Sequence, residues 1–273
     1  EADGFPGLIL DYYHGHLVAQ VHHPGPERLL PLFLELWRRH LQPESVTLRN
    51  DSEVRRLEGL PQEVRVIWGD PPPLVRVQEG PLELLVDLRR GQKTGLFLDQ
   101  RENRLAAVPL AQGEVLDCFA YQGGFSLQVA RRAQRVTAVE ASAAALALGR
   151  QNAQLNGLDQ IEWVQANCFT FLKEAVAAGR RYDLIILDPP AFAKSREERP
   201  RAILGYREIN RRALQLAAPG GILITSSCSY NLSREDFLQL LRQAAQEVGR
   251  RVRLLDQRGA ARDHPVDLFL PES

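Results

Sequence analysis

Gly113-Glu114-Val115-Leu116-Asp117-Cys118-Phe119-Ala120-Tyr121-Gln122-Gly123-Gly124-Phe125 is the stretch from which the fold is read. Residues 113–117 predict a short apolar strand, and Gly123-Gly124 a tight turn into a helix over 124–133. The same alternation repeats downstream. Strands are predicted at 135–140, 161–165, 183–188 and 222–227, and helices at 142–156, 169–178, 206–218 and 234–248. Gly157 follows one helix, Pro219-Gly220-Gly221 stops another, and Ser233 with Asp236 forms a capping box at the last. A final strand is expected over 252–256. Such alternation predicts an α/β fold with a mostly parallel, doubly wound sheet.

Upstream the pattern is different. Residues 8–13 and 16–21 read as a hairpin turning at His14-Gly15, and 27–40 as a helix. Strands follow near 45–49, 64–68, 74–78 and 82–88, with Pro71-Pro72-Pro73 marking a loop. The chain therefore divides into a small α+β domain over 1–90 and the α/β domain over 91–273. The four histidines at 14, 16, 22 and 23 are expected at the turn and ends of the hairpin, facing solvent. They give no metal site.

Composition sets outer limits. The chain has 273 residues, 44% of them hydrophobic, with a formal net charge of zero. Residues 1–100 carry an acidic excess and 101–273 a basic one, concentrated between Lys194 and Arg212. That excess is too small to prove a nucleic-acid partner. No stretch reaches the ~20 apolar residues of a membrane span. Cys118, Cys168 and Cys228 are odd in number and widely spaced, which suits a reducing cytoplasm and neither a disulfide framework nor a zinc ribbon. The chain has no methionine, so it is expected to be a fragment or a processed product. Lys93, Lys173 and Lys194 are its only lysines.

In a doubly wound sheet, ligands bind beyond the C-terminal strand ends. There the sequence places Asp117 and Phe119 with Gly123 after the first strand, Glu140 after the second, Asn167 after the third and Asp188-Pro189-Pro190 after the fourth. Ser227-Cys228-Ser229 follows the fifth. The first turn lacks G-x-G-x-x-G, so the glycine set that brings backbone against a pyrophosphate is missing. A cofactor without phosphates, such as S-adenosylmethionine (SAM), needs less. Gly123 would admit its methionine part and Glu140 would accept the ribose hydroxyls. Taken singly, the glycine pair is an ordinary turn and Glu140 a solvated strand end. Their joint placement favours a cofactor.

The last two strand ends suit a specific chemistry. Prolines after Asp188 stiffen the turn, and Phe192 is a candidate base-stacking ring. If the fourth and fifth strands are neighbours, their ends lie about 5 Å apart and Asp188 faces the same pocket as Cys228. A thiolate adding to C6 of cytosine makes C5 nucleophilic toward a methyl donor, a covalent mechanism that suits cysteine. Free cysteine has a pKa of about 8.5, so such a site must favour the thiolate. An isolated cysteine is more often a small buried hydrophobe. That reading is kept for Cys118 and Cys168.

These residues resemble the bacterial 23S rRNA cytosine-C5 methyltransferases that carry an N-terminal PUA domain. The resemblance spans nearly the whole chain. It includes Glu1–Gly4 with the following hairpin, Lys93–Arg101 with Asn103-Arg104, the turn Tyr121–Phe125, Asp188–Ser195, and Ser227-Cys228-Ser229. It implies a class I SAM-dependent methyltransferase domain (Rossmann-like) after the small α+β domain, with SAM as cofactor and 23S rRNA as substrate. It implies that Cys228 is the nucleophile and that Gln100 and Arg101 join Gly123, Glu140 and Asn167 in the SAM pocket. Without the resemblance, 93–104 reads as a polar linker. Pro189, Pro190, Phe192 and Lys194 are the candidate substrate contacts. Asn167 departs from the family's usual Asp, the PUA domain is missing, and the C-terminus is expected to be truncated. The oligomeric state is left open, a homodimer included. Competing readings are a guanine N7 or N2 rRNA methyltransferase, which needs no Cys228, an NAD-dependent oxidoreductase, and a non-catalytic RNA-binding relic.

Overall fold

The computed structural model describes residues 3–193, 195, 197–229 and 231–269. Asn103–Gly259 form one compact unit, and the described residues of 1–102 and 260–273 form the other.

The first unit contains β1 (Leu8–Tyr13), β2 (His16–Val21), α1 (Pro24–His40), β3 (Ser45–Asn50), α2 (Glu53–Leu57), β4 (Glu63–Trp68), β5 (Val75–Glu79) and β6 (Leu82–Val86). One sheet has the order β1-β2-β3-β4, with only the β2/β3 pair parallel, and β5 and β6 form a separate antiparallel pair. His14 (φ 45°) and Gly15 (φ 92°) make the two-residue hairpin turn that a right-twisted pair requires. Helix α1 packs Phe33 and Trp37 onto Leu17, Ala19, Val46 and Leu48 of the central strands. His14 stands exposed at the turn as expected, but His16 departs from expectation. His16 is buried, its Nδ1 2.8 Å from Ser45 Oγ. His23 caps α1, Nδ1 accepting from Gly25 N. All six residues of β2, a central strand, are buried, so the strand offers His16 no solvent face.

Residues 93–102 belong to this unit and are tied down. Tyr13 Oη lies 2.8 Å from Thr94 Oγ1 and accepts from Leu96 N. Lys93 Nζ reaches both carboxylate oxygens of Asp99 at 3.1 Å. These contacts give the segment fixed structure where composition suggested a linker. Residues 91–102 fall in the first unit.

After α3 (Arg101–Ala107), the second unit runs β7 (Glu114–Cys118), α4 (Gly124–Ala130), β8 (Arg135–Glu140), α5 (Ala143–Leu155), β9 (Ile161–Gln165), α6 (Cys168–Ala177), β10 (Tyr182–Leu187), α7 (Arg199–Leu216), β11 (Ala217–Thr225) and α8 (Arg234–Val248). All five strands are parallel, in the order β11-β10-β7-β8-β9. The order reverses at β7, and the crevice beyond its end is the position where such sheets bind ligands. The central strands are covered on both faces. Val115, Leu116 and Leu184–Leu187 are fully buried, and this is why they read as continuous apolar runs.

Two expectations are corrected. Helix α7 starts at Arg199 and ends at Leu216, with Ala217–Gly221 already in strand β11. Its buried residues Ala202, Tyr206, Ile209, Ala213 and Leu216 keep helical spacing, but arginines on the outer face obscure the first turns. Residues 252–256 are not a strand. Val252, Leu254 and Leu255 stand exposed, with no ladder partner among the described residues.

Candidate active site

Parallel register aligns the strand ends in one row: Thr225 beside Leu187, Leu187 beside Cys118, Cys118 beside Val139, and Glu140 beside Gln165. The turn after β7 is strained. Phe119 (φ 64°), Tyr121 (φ 51°) and Gly123 (φ 81°) are all left-handed, and such strain in non-glycine residues concentrates at functional sites. Neighbours pin it. Ala120 N donates to Val139 O, Tyr121 N to Glu140 Oε2 (2.9 Å), Phe119 N to Cys168 Sγ and Gly123 N to Ala120 O. Glu140 Oε1 also accepts from Ser142 N, so this carboxylate organises its own strand end while retaining lone pairs for a ligand.

Asp117 lies beneath this turn, fully buried. Its Oδ2 accepts from Ser126 N (3.0 Å) and Ser126 Oγ (2.6 Å), fixing the first turn of α4. Its Oδ1 is buried without a hydrogen-bond partner. Burial above all, and then the nearby Asp188 and Glu140 carboxylates, push Asp117 up to about 7, against the two stabilising bonds from Ser126. Three acidic side chains thus gather at these strand ends. The Glu140 and Asp188 carboxylates suit a ligand carrying positive charge, as the sulfonium and ammonium groups of SAM do, and the orphaned Oδ1 of Asp117 leaves a buried polar atom for one more hydrogen bond. The residues present fit SAM.

Two cofactor candidates do other work as well. A Cβ at Gly123 would lie 2.4 Å from the Trp163 ring, and one at Gly149 would lie 2.6 Å from the same ring. The glycine therefore admits Trp163 as well as a positive φ, and this tryptophan was not singled out in the sequence. Asn167 caps α6, its Oδ1 accepting from Phe169 N (3.0 Å) and Thr170 N (3.3 Å). The side-chain oxygen of this cofactor candidate is thus engaged at the helix end. Gln100 and Arg101 lie in the first unit, where Arg101 pairs with Asp263 at 3.0 Å.

The ends of β10 and β11 carry the remaining candidates, and the two strands are indeed neighbours. Ser226 Oγ donates to Asp188 Oδ1, and Cys228 Sγ donates to Pro189 O at 3.6 Å. Cys228 is exposed, whereas Cys118 and Cys168 are buried. The thiol of Cys118 is pushed up by burial and by Cys168, as suits a packing residue. Pro189 is buried and Pro190 exposed. Phe192 is half-buried in an aromatic cluster, with ring centroids 4.5 Å from Tyr206, 5.7 Å from Phe169 and 6.3 Å from Phe119. That packing competes with the base-stacking role expected for it. Lys194 lies outside the described residues. Groups able to hold a metal ion are absent among the described residues.

A parallel sheet that reverses at β7, with acidic groups along its strand ends and no dinucleotide glycine motif, defines a class I SAM-dependent methyltransferase. Residues 8–257 match the family described as S-adenosylmethionine-dependent methyltransferase. The chain is 42% identical to ribosomal RNA large subunit methyltransferase I of Aeromonas hydrophila over 279 residues, covering 100% of this chain and 70% of that protein. It is 39% identical to the protein of the same name from Photobacterium profundum, with the same coverage. A crystal structure of a methyltransferase complexed with SAH superimposes with a TM-score of 0.85 at 23% identity, over 99% of this chain and 70% of that one. The chain belongs to the SAM-dependent methyltransferase family and uses SAM as its methyl donor.

Proposed function

We propose that this enzyme methylates C5 of a cytosine in 23S ribosomal RNA. The observation that carries the reading is the junction of β10 and β11, which brings Cys228 to the Asp188-Pro189 turn. The names of the relatives supply ribosomal RNA as substrate class, and RNA modification of that kind belongs in the cytoplasm. Among the described residues no helix is long and apolar enough to cross a membrane.

In this reading the Cys228 thiolate adds to C6 of the cytosine, and the ring electrons move to C5. SAM, when bound, supplies an electrophilic methyl group. Once C5 carries the methyl, its proton leaves to solvent base and the C6–S bond breaks, returning the thiolate and the aromatic ring. Asp188, oriented through Oδ1 by Ser226, presents its other oxygen to the amino edge of the base. Asp117, Phe119, Gly123, Glu140, Asn167 and Asp188 form the cofactor side. Pro189, Pro190, Phe192 and Lys194 form the RNA side.

The test uses labelled SAM and unmodified 23S rRNA, with digestion to nucleosides, for wild type and Cys228→Ala. Label in 5-methylcytidine that disappears in the variant is expected. Label in a methylated guanosine that survives it would keep the cofactor and overturn the mechanism.

A further inference from the structure

Ser229 follows the proposed nucleophile and is buried, 5% exposed. Its Oγ lies 3.1 Å from Phe192 N, 3.3 Å from Ala193 N and 2.8 Å from Tyr206 Oη. A serine oxygen has two lone pairs and one proton. The two backbone N–H groups occupy the lone pairs, so the serine proton is donated to Tyr206. Tyr206 is fully buried on α7, between the rings of Phe192 and Phe237. Ser229 N also donates to Ser227 Oγ at 3.3 Å, closing a serine turn around Cys228. Cys228 is therefore held on both sides, by the Ser227–Ser229 turn and by the bonds from Ser229 to the loop after Pro190.

We propose that Ser229 and Tyr206 are a positioning pair that sets the Cys228 thiol against the Asp188-Pro189 turn. Both hydroxyls are buried and bonded to one another. Ser229 ties the end of β11 to residues 192–193, and Tyr206 fixes the direction of the serine proton from the buried face of α7. A shift of the loop by a fraction of an ångström moves Sγ relative to Pro189 O, and covalent steps are steep in such displacement. The inference rests on Cys228 as nucleophile.

Tyr206→Phe is the primary test, because it removes one hydroxyl and keeps the ring. Ser229→Ala also takes this acceptor from the Phe192 and Ala193 N–H groups and serves as the stronger variant where it folds. Three quantities are read: SAM affinity, single-turnover methyl transfer to RNA, and the pH profile of Cys228 alkylation by iodoacetamide, which reaches the one exposed cysteine. The expected result for Tyr206→Phe is SAM affinity within about twofold, transfer slower by about 10-fold, and a displaced alkylation profile. Transfer and alkylation both at wild-type values would overturn the pairing, whatever Cys228→Ala shows. Cys228→Ala that still methylates RNA refutes the nucleophile, and the alkylation profile then reports the positioning separately.

Discussion

Ser226 Oγ and Asp188 Oδ1 are hydrogen-bonded across the ends of adjacent parallel strands, with Asp188 following β10 and Ser226 following β11. The bond fixes one carboxylate oxygen. Ser226→Ala is expected to reduce methyl transfer by about 10-fold while SAM affinity changes little, since the lost group is a hydrogen bond to a charged partner worth about 1.5–3 kcal/mol. Steady-state kinetics with RNA and SAM varied separately check it. A rise in the KM for SAM with kcat preserved would instead assign Asp188 to the cofactor alone.

Asp117 links the cofactor site to pH. Its pKa rises from 3.8 unfolded to about 7 folded, so between those values the native state holds more protons than the unfolded state. Its contribution is fully present below the unfolded pKa and is lost as pH rises through the folded one. Asp117→Asn keeps an acceptor for Ser126 and cannot ionise. Urea midpoints measured from pH 5 to 8 should fall with pH more steeply in wild type than in the variant. Parallel curves for the two proteins would count against a protonated Asp117.

Gly123 is held by two constraints, its φ of 81° and the Trp163 ring 2.4 Å from the position of a Cβ. Gly123→Ala is expected to destabilise the second unit by about 1–3 kcal/mol and to weaken SAM binding. In Gly123→Ala/Trp163→Leu, part of the stability should return while the strain of the turn remains. Thermal melts with and without SAM separate the two. A fully stable Gly123→Ala would show that the turn relaxes.

Asn167 caps α6 through Oδ1. Asn167→Ala should cost about 0.5–2 kcal/mol of stability, and Asn167→Asp should keep it, because a carboxylate caps equally well. Calorimetric SAM titration of both variants decides whether the residue also touches the cofactor. Affinity unchanged in Asn167→Ala would leave it as a cap only.

The alternation of strands and helices, the capping box Ser233/Asp236 and the hairpin turn at His14-Gly15 are legible in the chain itself, whereas several strand ends shift by a residue or two. These are local properties. Periodicity, turn chemistry and capping act within a few residues, and all are written in the chain. Which ends meet depends on how the strands pair across the sheet. Pairing of β10 with β11 brought Cys228 to Pro189, and the fold of α7 over the loop brought Tyr206 to Ser229. The tertiary structure placed Trp163 in the space left by Gly123, buried His16 against Ser45, and left 252–256 without a ladder partner among the described residues. An alternating apolar run becomes a strand only when another strand lies beside it, and a cysteine at a strand end gains its neighbours only when the sheet order is set. Those contacts join residues tens of positions apart, which no local pattern encodes.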